Sequence, residues 1–324
     1  MADATANRIG QDLGTGAVDA LFEQLYLTEL HAAFLEANIM RPLTMVKSIS
    51  HGKSASFPKT WKTAAQYHVA GTEIVGTNNV QHTEKIISVD ERVESDIFVN
   101  EIDELKNHYG VRGEYSRQMG HALAEKLDVN ILRSIILAAR ATPDFGAADT
   151  TTPTDRVLEN ANAATDADTL IKLIWDAAET FDVGNVPKDG RALVLGPAQF
   201  YLLFQSTGNY MLNRDWGGGG SIQTADLPPL AGFSIHKSNH MNSTSLGDNY
   251  AGVTGENNTY SGDFRNTVAT AFHKSAVGTV MLKDLAFRAV EQPEKFGTLL
   301  IGSYISGTSD LRPESAIEIA TAEV

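Results

Sequence analysis

The chain of 324 residues contains no cysteine. That excludes disulfides, thiolate metal sites and cysteine nucleophiles together, and it fits a protein made in a reducing compartment. Long apolar runs are missing too. No stretch of about 18 apolar residues exists, so no transmembrane helix is expected. The start, Met1-Ala2-Asp3-Ala4-Thr5-Ala6-Asn7-Arg8, lacks the basic and apolar regions of a signal peptide. The Asn-x-Thr matches at Asn242 and Asn257 therefore read as chance sites. Basic clusters are also scarce: 26 Lys and Arg stand against 40 Asp and Glu, a net charge of −14. A chain that grips nucleic acid needs clustered Lys and Arg, and none is present.

What is present is ordinary globular material. An apolar fraction of 42% with 20% charged residues is enough for a real core, and the length suits one large or two ordinary domains. From about Gly16 to Asn38, Val18, Leu21, Phe22, Leu25, Tyr26, Phe34 and Leu35 recur at three and four residues. This predicts an amphipathic helix with Thr15 as N-cap, ended by Arg41-Pro42. Residues 43–100 are rich in Thr, Ser, Gly, Val and Ile, with alternation around Lys85–Val89 and Glu94–Val99. They predict a long β-hairpin whose polar middle is Gly71 to His82. Such a hairpin is marginal alone in water and should lie on a neighbour.

After a short helix near Asn100–His108 and a break at Gly110, Arg112 to Arg140 contains no proline and reads as a helix with one buried face. Its 29 residues would span roughly 43 Å. Pro143 and a polar stretch to about Thr169 mark a boundary. An α/β region follows. It holds a helix stripe at Leu170, Leu173, Ile174, Ala177, Ala178 and Phe181, and a buried strand at Arg191–Leu195. Pro197 opens another helix, and Gly232–Lys237 alternates as a strand, with Trp216 and Gly217 to Gly220 between as a loop. From about Thr267 the chain alternates again, at Phe287–Val290, Gly297–Ile305 and Ala316–Ala320. These strands are expected to return to the long helix.

Chemical motifs do not survive inspection. Gly52-Lys53-Ser54 suggests a phosphate loop, but the required earlier glycine is Lys47, and Phe57-Pro58 follows where a helix should start. Ser50-His51-Gly52-Lys53 matches a serine-x-x-lysine pattern whose companion motifs are absent. The nine histidines, His108, His121, His236 and His273 among them, form no metal-ligand spacing. Glu84, Asp90 and Asp103-Glu104 read as solvated or ion-paired carboxylates. No catalytic residue, cofactor site or metal site is assigned.

Five strings carry a different signal: Ser48-Ile49-Ser50-His51-Gly52-Lys53-Ser54-Ala55-Ser56-Phe57-Pro58, His82-Thr83-Glu84-Lys85, Asn107-His108-Tyr109-Gly110-Val111-Arg112, Ser275-Ala276-Val277-Gly278-Thr279-Val280 and Leu311-Arg312-Pro313-Glu314. In this order the chain resembles the major capsid proteins of T7-like short-tailed bacteriophages, over roughly 45–115 and 268–316. The resemblance implies an α+β architecture, the tailed-phage capsid (Hong Kong 97-like, or Johnson) fold. Its parts would be an N-terminal arm at 1–42, an extended hairpin or E-loop at 43–95, and a peripheral domain at 96–149 with a spine helix at 112–140. An axial domain at 150–265 and peripheral return strands at 266–324 would complete it.

The function implied is structural: self-assembly as hexamers and pentamers into an icosahedral virion shell around double-stranded DNA, with no enzyme activity. Partners would be the chain itself, a scaffolding protein, a portal protein and the enclosed DNA, without sequence-specific binding and without a membrane, assembled in the host cytoplasm. The acidic balance then suits either a wall that repels packaged phosphate or plain solubility. Contacts between subunits are expected at Phe57, Trp61, Tyr67 and Ile86 of the E-loop and at Phe22 and Tyr26 of the arm. Some relatives of this fold lock their shells with lysine–asparagine bonds. Lys53, Lys59 and Lys62 lie in the E-loop region, but no carboxylate is specified beside them, and no cross-link is expected. Two other readings are an encapsulin-like cellular compartment, which shares the fold, and a soluble α/β enzyme with a hairpin lid, which would need a convergent polar pocket. A tail or fibre protein fits poorly with the long helix.

Overall fold

The computed structural model describes residues 38–61, 63, 65–76, 78, 80–102, 111–142, 156–205 and 229–322. A 3-10 turn at Arg41–Leu43 leads into β1 (Met45–Ser48). β2 (Ser54–Thr60) and β3 (His82–Ser88) form an antiparallel hairpin, and β4 (Val93–Asn100) follows. Helix α1 runs over Val111–Arg140, then come β5 (Val157–Glu159), α2 (Ala167–Val183), β6 (Arg191–Leu195), α3 (Pro197–Leu203) and β7 (Ser234–Lys237). A small pair, β8 (Asn249–Tyr250) and β9 (Gly262–Asp263), precedes β10 (Thr267–His273), β11 (Val277–Gln292), β12 (Gly297–Asp310) and β13 (Ala316–Ala320). The helix expected at 16–38, the one near 100–108 (beyond 102) and the glycine loop at 217–220 lie outside the described residues.

Two sheets organise these elements. One has the order β1-β11-β12-β4, with β1 parallel to β11 and the other pairs antiparallel. The second has the order β5-β13-β10-β6-β7. The strands after residue 266 are therefore divided. β11 and β12 belong to the first sheet, whereas β10 and β13 sit at the centre of the second, between β5 and β6. Residues 266–324, expected as one block of return strands, thus contribute strands to both sheets. Alternating apolar residues show a strand but not its sheet, and β6, fully buried, needed partners on both edges.

Local chemistry sets the elements. Asp166 caps α2, accepting from the Thr169 N–H at 3.1 Å. Pro197 occupies the first turn of α3 after Gly196. In the second sheet successive residues feed opposite layers: Ala192, Val194 and Phe272 pack with α1, while Leu193, Leu195 and Ala271 pack with α2. In the first sheet, β11 carries two residues more than β12. Met281 pairs with Ser306, Lys283 with Ile305 and Ala286 with Ser303, so the strand bulges twice.

Periodicity predicts one buried face for α1. The structure instead buries every residue from 127 to 136. On that stretch Asn130 and Ser134 bond within the helix, while Arg133 reaches outward: its Nε donates to the Leu246 carbonyl at 2.8 Å, and its guanidinium stacks 3.5 Å from the Tyr250 ring centroid. At the helix end, Arg140 grips Glu318 of β13 through two bonds of 2.7 Å, Nε to Oε2 and Nη2 to Oε1. Glu318 is fully buried, and its Oε1 also accepts from the Thr267 hydroxyl at 2.5 Å.

Removing one partner of a buried pair leaves an uncompensated charge, at a cost of about 3–5 kcal/mol. Arg140→Met is therefore expected to lower unfolding stability by about that amount in urea titrations. Arg140→Met with Glu318→Leu should recover most of the loss.

Candidate assembly surfaces

The β2–β3 hairpin is anchored at its base. Its register runs from Ser54 opposite Ser88 to Thr60 opposite His82. Along β2 alternate residues are buried, and Ala55, Phe57, Ile87 and Val89 pack with Val280 and Leu311. Gly278 leaves the room for this: a Cβ there would lie 2.8 Å from Ile87 Cδ1 and 3.4 Å from the Phe57 ring. Lys85 then pins β3 to the end of β12, donating to both Asp310 oxygens at 2.8 and 2.9 Å. Burial pushes the Asp310 carboxyl up, but the Lys85 bonds and charge outweigh it and hold it below its usual range.

A second anchor follows β3. Asp90 accepts from the Asn257 N–H (2.8 Å), the Asn258 N–H (3.1 Å), the Asn258 amide (2.9 Å) and the Tyr260 hydroxyl (2.6 Å). The Asn257 and Asn258 amides donate onward to the Val89 and Ser88 carbonyls, both at 2.7 Å. Asp90 is thus no solvated carboxylate. Burial raises its pKa despite these bonds. A cleft of about 830 Å3 at this base is lined by Lys53, Asp90, Glu91 and Arg92. Both Asp90 oxygens are used in holding the segment at 257–260.

A third anchor fixes where the chain enters the body. Asp128, fully buried on α1, accepts from the Ile39 N–H at 2.9 Å and the Met40 N–H at 3.3 Å. Burial pushes its carboxyl up to about 7, against the opposing pull of those two N–H groups.

Beyond Thr60 the described residues carry a cross-strand bond from the Trp61 N–H to the Gln81 carbonyl, 3.0 Å, and a turn bond from the Thr72 N–H to the Val69 carbonyl, 3.1 Å. Gly71 and Gly76 adopt positive φ there. Tyr67 is 102% exposed, Val69, Ile74 and Val75 are each more than two-thirds exposed, and Ile86 projects from β3 at 57%. The structure thus leaves Tyr67 and Ile86 available and Trp61 half-buried. Phe57 is different: at 8% exposure its ring faces inward, because position 57 falls on the buried side of the β2 alternation. Phe57, expected as a contact between subunits, packs within this subunit against Ile87, Val280 and Leu311. Phe22 and Tyr26 lie outside the described residues. Sequence reading missed Val69, Ile74, Val75 and the three carboxylate anchors. The signal for the first group was there: apolar side chains inside an otherwise polar loop.

Comparison with known proteins places this geometry. A family model for Gp10A-like major capsid proteins matches residues 56–320. The chain belongs to this family. It is 29% identical to the major capsid protein of Escherichia phage T7, over 98% of both chains, and 28% identical to that of Enterobacteria phage T3, over 98% of this chain and 97% of the other. Among solved structures it resembles the capsid of cyanophage P-SCSP1u, with a TM-score of 0.75 and 36% identity over 89% of each chain. The mature capsid of bacteriophage PhiM1 shares the fold, with a TM-score of 0.69 at 18% identity over 89% of this chain and 88% of that one. The subunit thus has the tailed-phage capsid fold, an α+β architecture, and is a structural, self-associating virion capsid protein rather than an enzyme.

Two outcomes follow from the anchors. A Cβ at Gly307 would collide with the Ser88 carbonyl and lie 2.9 Å from Asn258 Nδ2. Gly307→Ala should destabilise the subunit by about 1–3 kcal/mol and speed hydrogen exchange in β3 first. For Asp128, the folded value of about 7 stands above the ordinary 3.8, so folding takes up a proton. The stability this contributes is complete below about 3.8 and is lost as pH rises through about 7. Urea titrations across that range should show wild type losing stability relative to Asp128→Asn; a pH-independent difference would contradict the buried, proton-binding carboxyl.

Proposed function

We propose that the subunit assembles as hexamers and pentamers into the closed icosahedral shell enclosing the phage double-stranded DNA. Assembly takes place in the host cytoplasm on a scaffolding protein, with a portal protein at one vertex. The observation that carries this reading is the far end of the hairpin. Tyr67, Val69, Ile74 and Val75 hold their side chains in water, left uncovered by the other described residues. Burying them on a neighbouring subunit recovers about 25 cal/mol for each Å2 of apolar surface.

In this reading residues 1–42 act as an N-terminal arm that leaves the body at the Asp128 anchor, and 43–95 contain the E-loop with its two flanking strands. The helix at 112–140 is the spine of a peripheral domain over 96–149. The axial domain is built on 150–265 together with β10 and β13, whose sheet holds β5, β6 and β7. The remaining 266–324 strands, β11 and β12, complete the peripheral domain. Tyr67 and Ile86 are direct contacts, Trp61 supports the loop at its neck, and Phe22 and Tyr26 serve the arm. The net charge of −14 keeps packaged DNA from adhering to the wall.

Sedimentation and negative-stain microscopy of the chain, alone and with its scaffolding protein, test the reading. Regular shells or capsomer rings are expected for wild type. Tyr67→Asp with Val75→Asp should abolish them while leaving the thermal midpoint within a few degrees of wild type, since exposed substitutions change stability by less than about 0.5 kcal/mol. A wild-type chain that stays monomeric in both conditions overturns it.

A further inference from the structure

Among the buried carboxylates, Asp128 alone faces the point where the chain enters the body. It is fully buried on α1, and its oxygens take the Ile39 N–H at 2.9 Å and the Met40 N–H at 3.3 Å. Glu318 has Arg140 beside it, and Asp310 has Lys85. Asp128 has no such cation: among the described residues no Lys, Arg or His pairs with it. The neighbouring cations are committed elsewhere. On the same helix Arg133 is turned to the Leu246 carbonyl and Lys126 to Glu256, and on the entering chain Arg41 is turned to Asp284. From β12 the group that feels Asp128 is Tyr304, buried, whose pKa is pushed up by burial and then by the charges of Asp128 and Asp90.

Two N–H groups are a thin coat for a buried negative charge. Desolvation disfavours the charged form and outweighs both bonds, so the group titrates at about 7 and not at 3.8. The entering segment is itself imperfectly satisfied. The Asn38 side chain is buried; its Oδ1 accepts from the Arg41 N–H at 2.9 Å, while its Nδ2 has no partner among the described residues. A buried donor left unmet costs free energy that water returns on exposure. Against this stands Met40, whose side chain is fully buried in the core around α1. The root of the arm is thus held by one apolar plug and by an acceptor that sits most comfortably when uncharged.

We propose that Asp128 and the segment at 38–40 form a proton-operated latch on the root of the arm, shut while the carboxyl is protonated and released when it ionises. The inference rests on the arm's role in the self-assembly reading and adds the device that controls it. Burial fixes the sign. The shut seat keeps a proton that an open, hydrated carboxyl gives up, so a rise in pH from 3.8 towards about 7 favours the open seat at every step. Lifting the root brings the ionised Asp128 and the Asn38 amide to water together. The chain before residue 38 is then no longer tied to α1 and can be handed to a neighbouring copy.

Amide-resolved hydrogen exchange on the full chain, held dilute as free subunits, tests the latch. Protection of the Ile39 and Met40 amides, corrected for the intrinsic pH dependence of exchange, should fall at least about tenfold between a pH of about 5 and one of about 7.5. Throughout, these two amides should exchange faster than those at 127–136, because the root opens without the helix. Asp128→Asn keeps an acceptor but cannot ionise, so its root protection should not vary with pH. Asp90→Asn, at the hairpin base, should leave the wild-type profile in place. The wild-type measurement needs no variant to fold. Root protection that ignores pH, or root and helix amides that are equally protected, overturns the proposal. So does an Asp128→Asn chain that keeps the wild-type profile, or an Asp90→Asn chain that loses it, which would move the proton to the hairpin base. Exchange in free subunits does not depend on assembly, so a chain that never forms shells removes the self-assembly reading and leaves this test standing.

Discussion

A stretch of helix with no solvent side governs the architecture. From 127 to 136 every residue of α1 is buried, so the structure must supply cover all the way round. Leu127, Ile131, Ile135 and Leu132 share one cluster with Ala192, Val194 and Phe272 of the second sheet and with Val277 and Tyr304 of the first. The two sheets are therefore not separate bodies joined by a linker. They are two coats on one core, and their relative position is fixed by close packing around a common rod.

Because apolar packing is non-directional, it cannot alone decide how the coats are turned. That selection falls to three carboxylates. Glu318 fixes the end of the helix to β13 through Arg140, Asp128 fixes the entering chain at mid-helix, and Asp90 ties the hairpin base to the segment at 257–260. Each accepts directional bonds in a poorly hydrated place, where an unmet partner is costly. In a chain without disulfides these, with the Lys85–Asp310 pair, are specific joints. Among the described residues the hairpin beyond Thr60 has none of these carboxylates, and the same loop holds the most exposed apolar side chains.

Much of this was legible in advance, for identifiable reasons. α2 and α3 carry their own start signals, Asp166 and Pro197, and the strands at 82–88, 93–100 and 191–195 follow period-two or wholly apolar patterns. What was not legible is pairing. Nothing in Thr267–His273 distinguishes a strand of the first sheet from one of the second, because partner choice depends on which edges remain open after the helices have packed. Burial of residues 127–136 on all sides was hidden for a related reason: Asp128, Asn130, Arg133 and Ser134 are polar, and only the bonds that satisfy them make their burial possible. Phe57 and Tyr67 illustrate the limit for contacts. Both are aromatics in one hairpin, and a place on the paired strand or on the unpaired loop alone decides which is open to a neighbour.

The two bulges of β11 have a further consequence. Between Met281 and Ala286 the strand spans five steps where β12 spans three, from Ser306 to Ser303. A side chain's face in a strand is a matter of odd and even, so the orientation of everything distal to residue 286 is set by a residue count and not by any particular contact. Length is thus an inherited variable in its own right here. Gaining or losing one residue in that short span would exchange the two faces of the strand beyond it, while gaining or losing two would keep the faces and alter the bend. A lineage could re-aim this part of its subunit, and with it the curvature of what the subunits build, without changing one residue of the core around the helix.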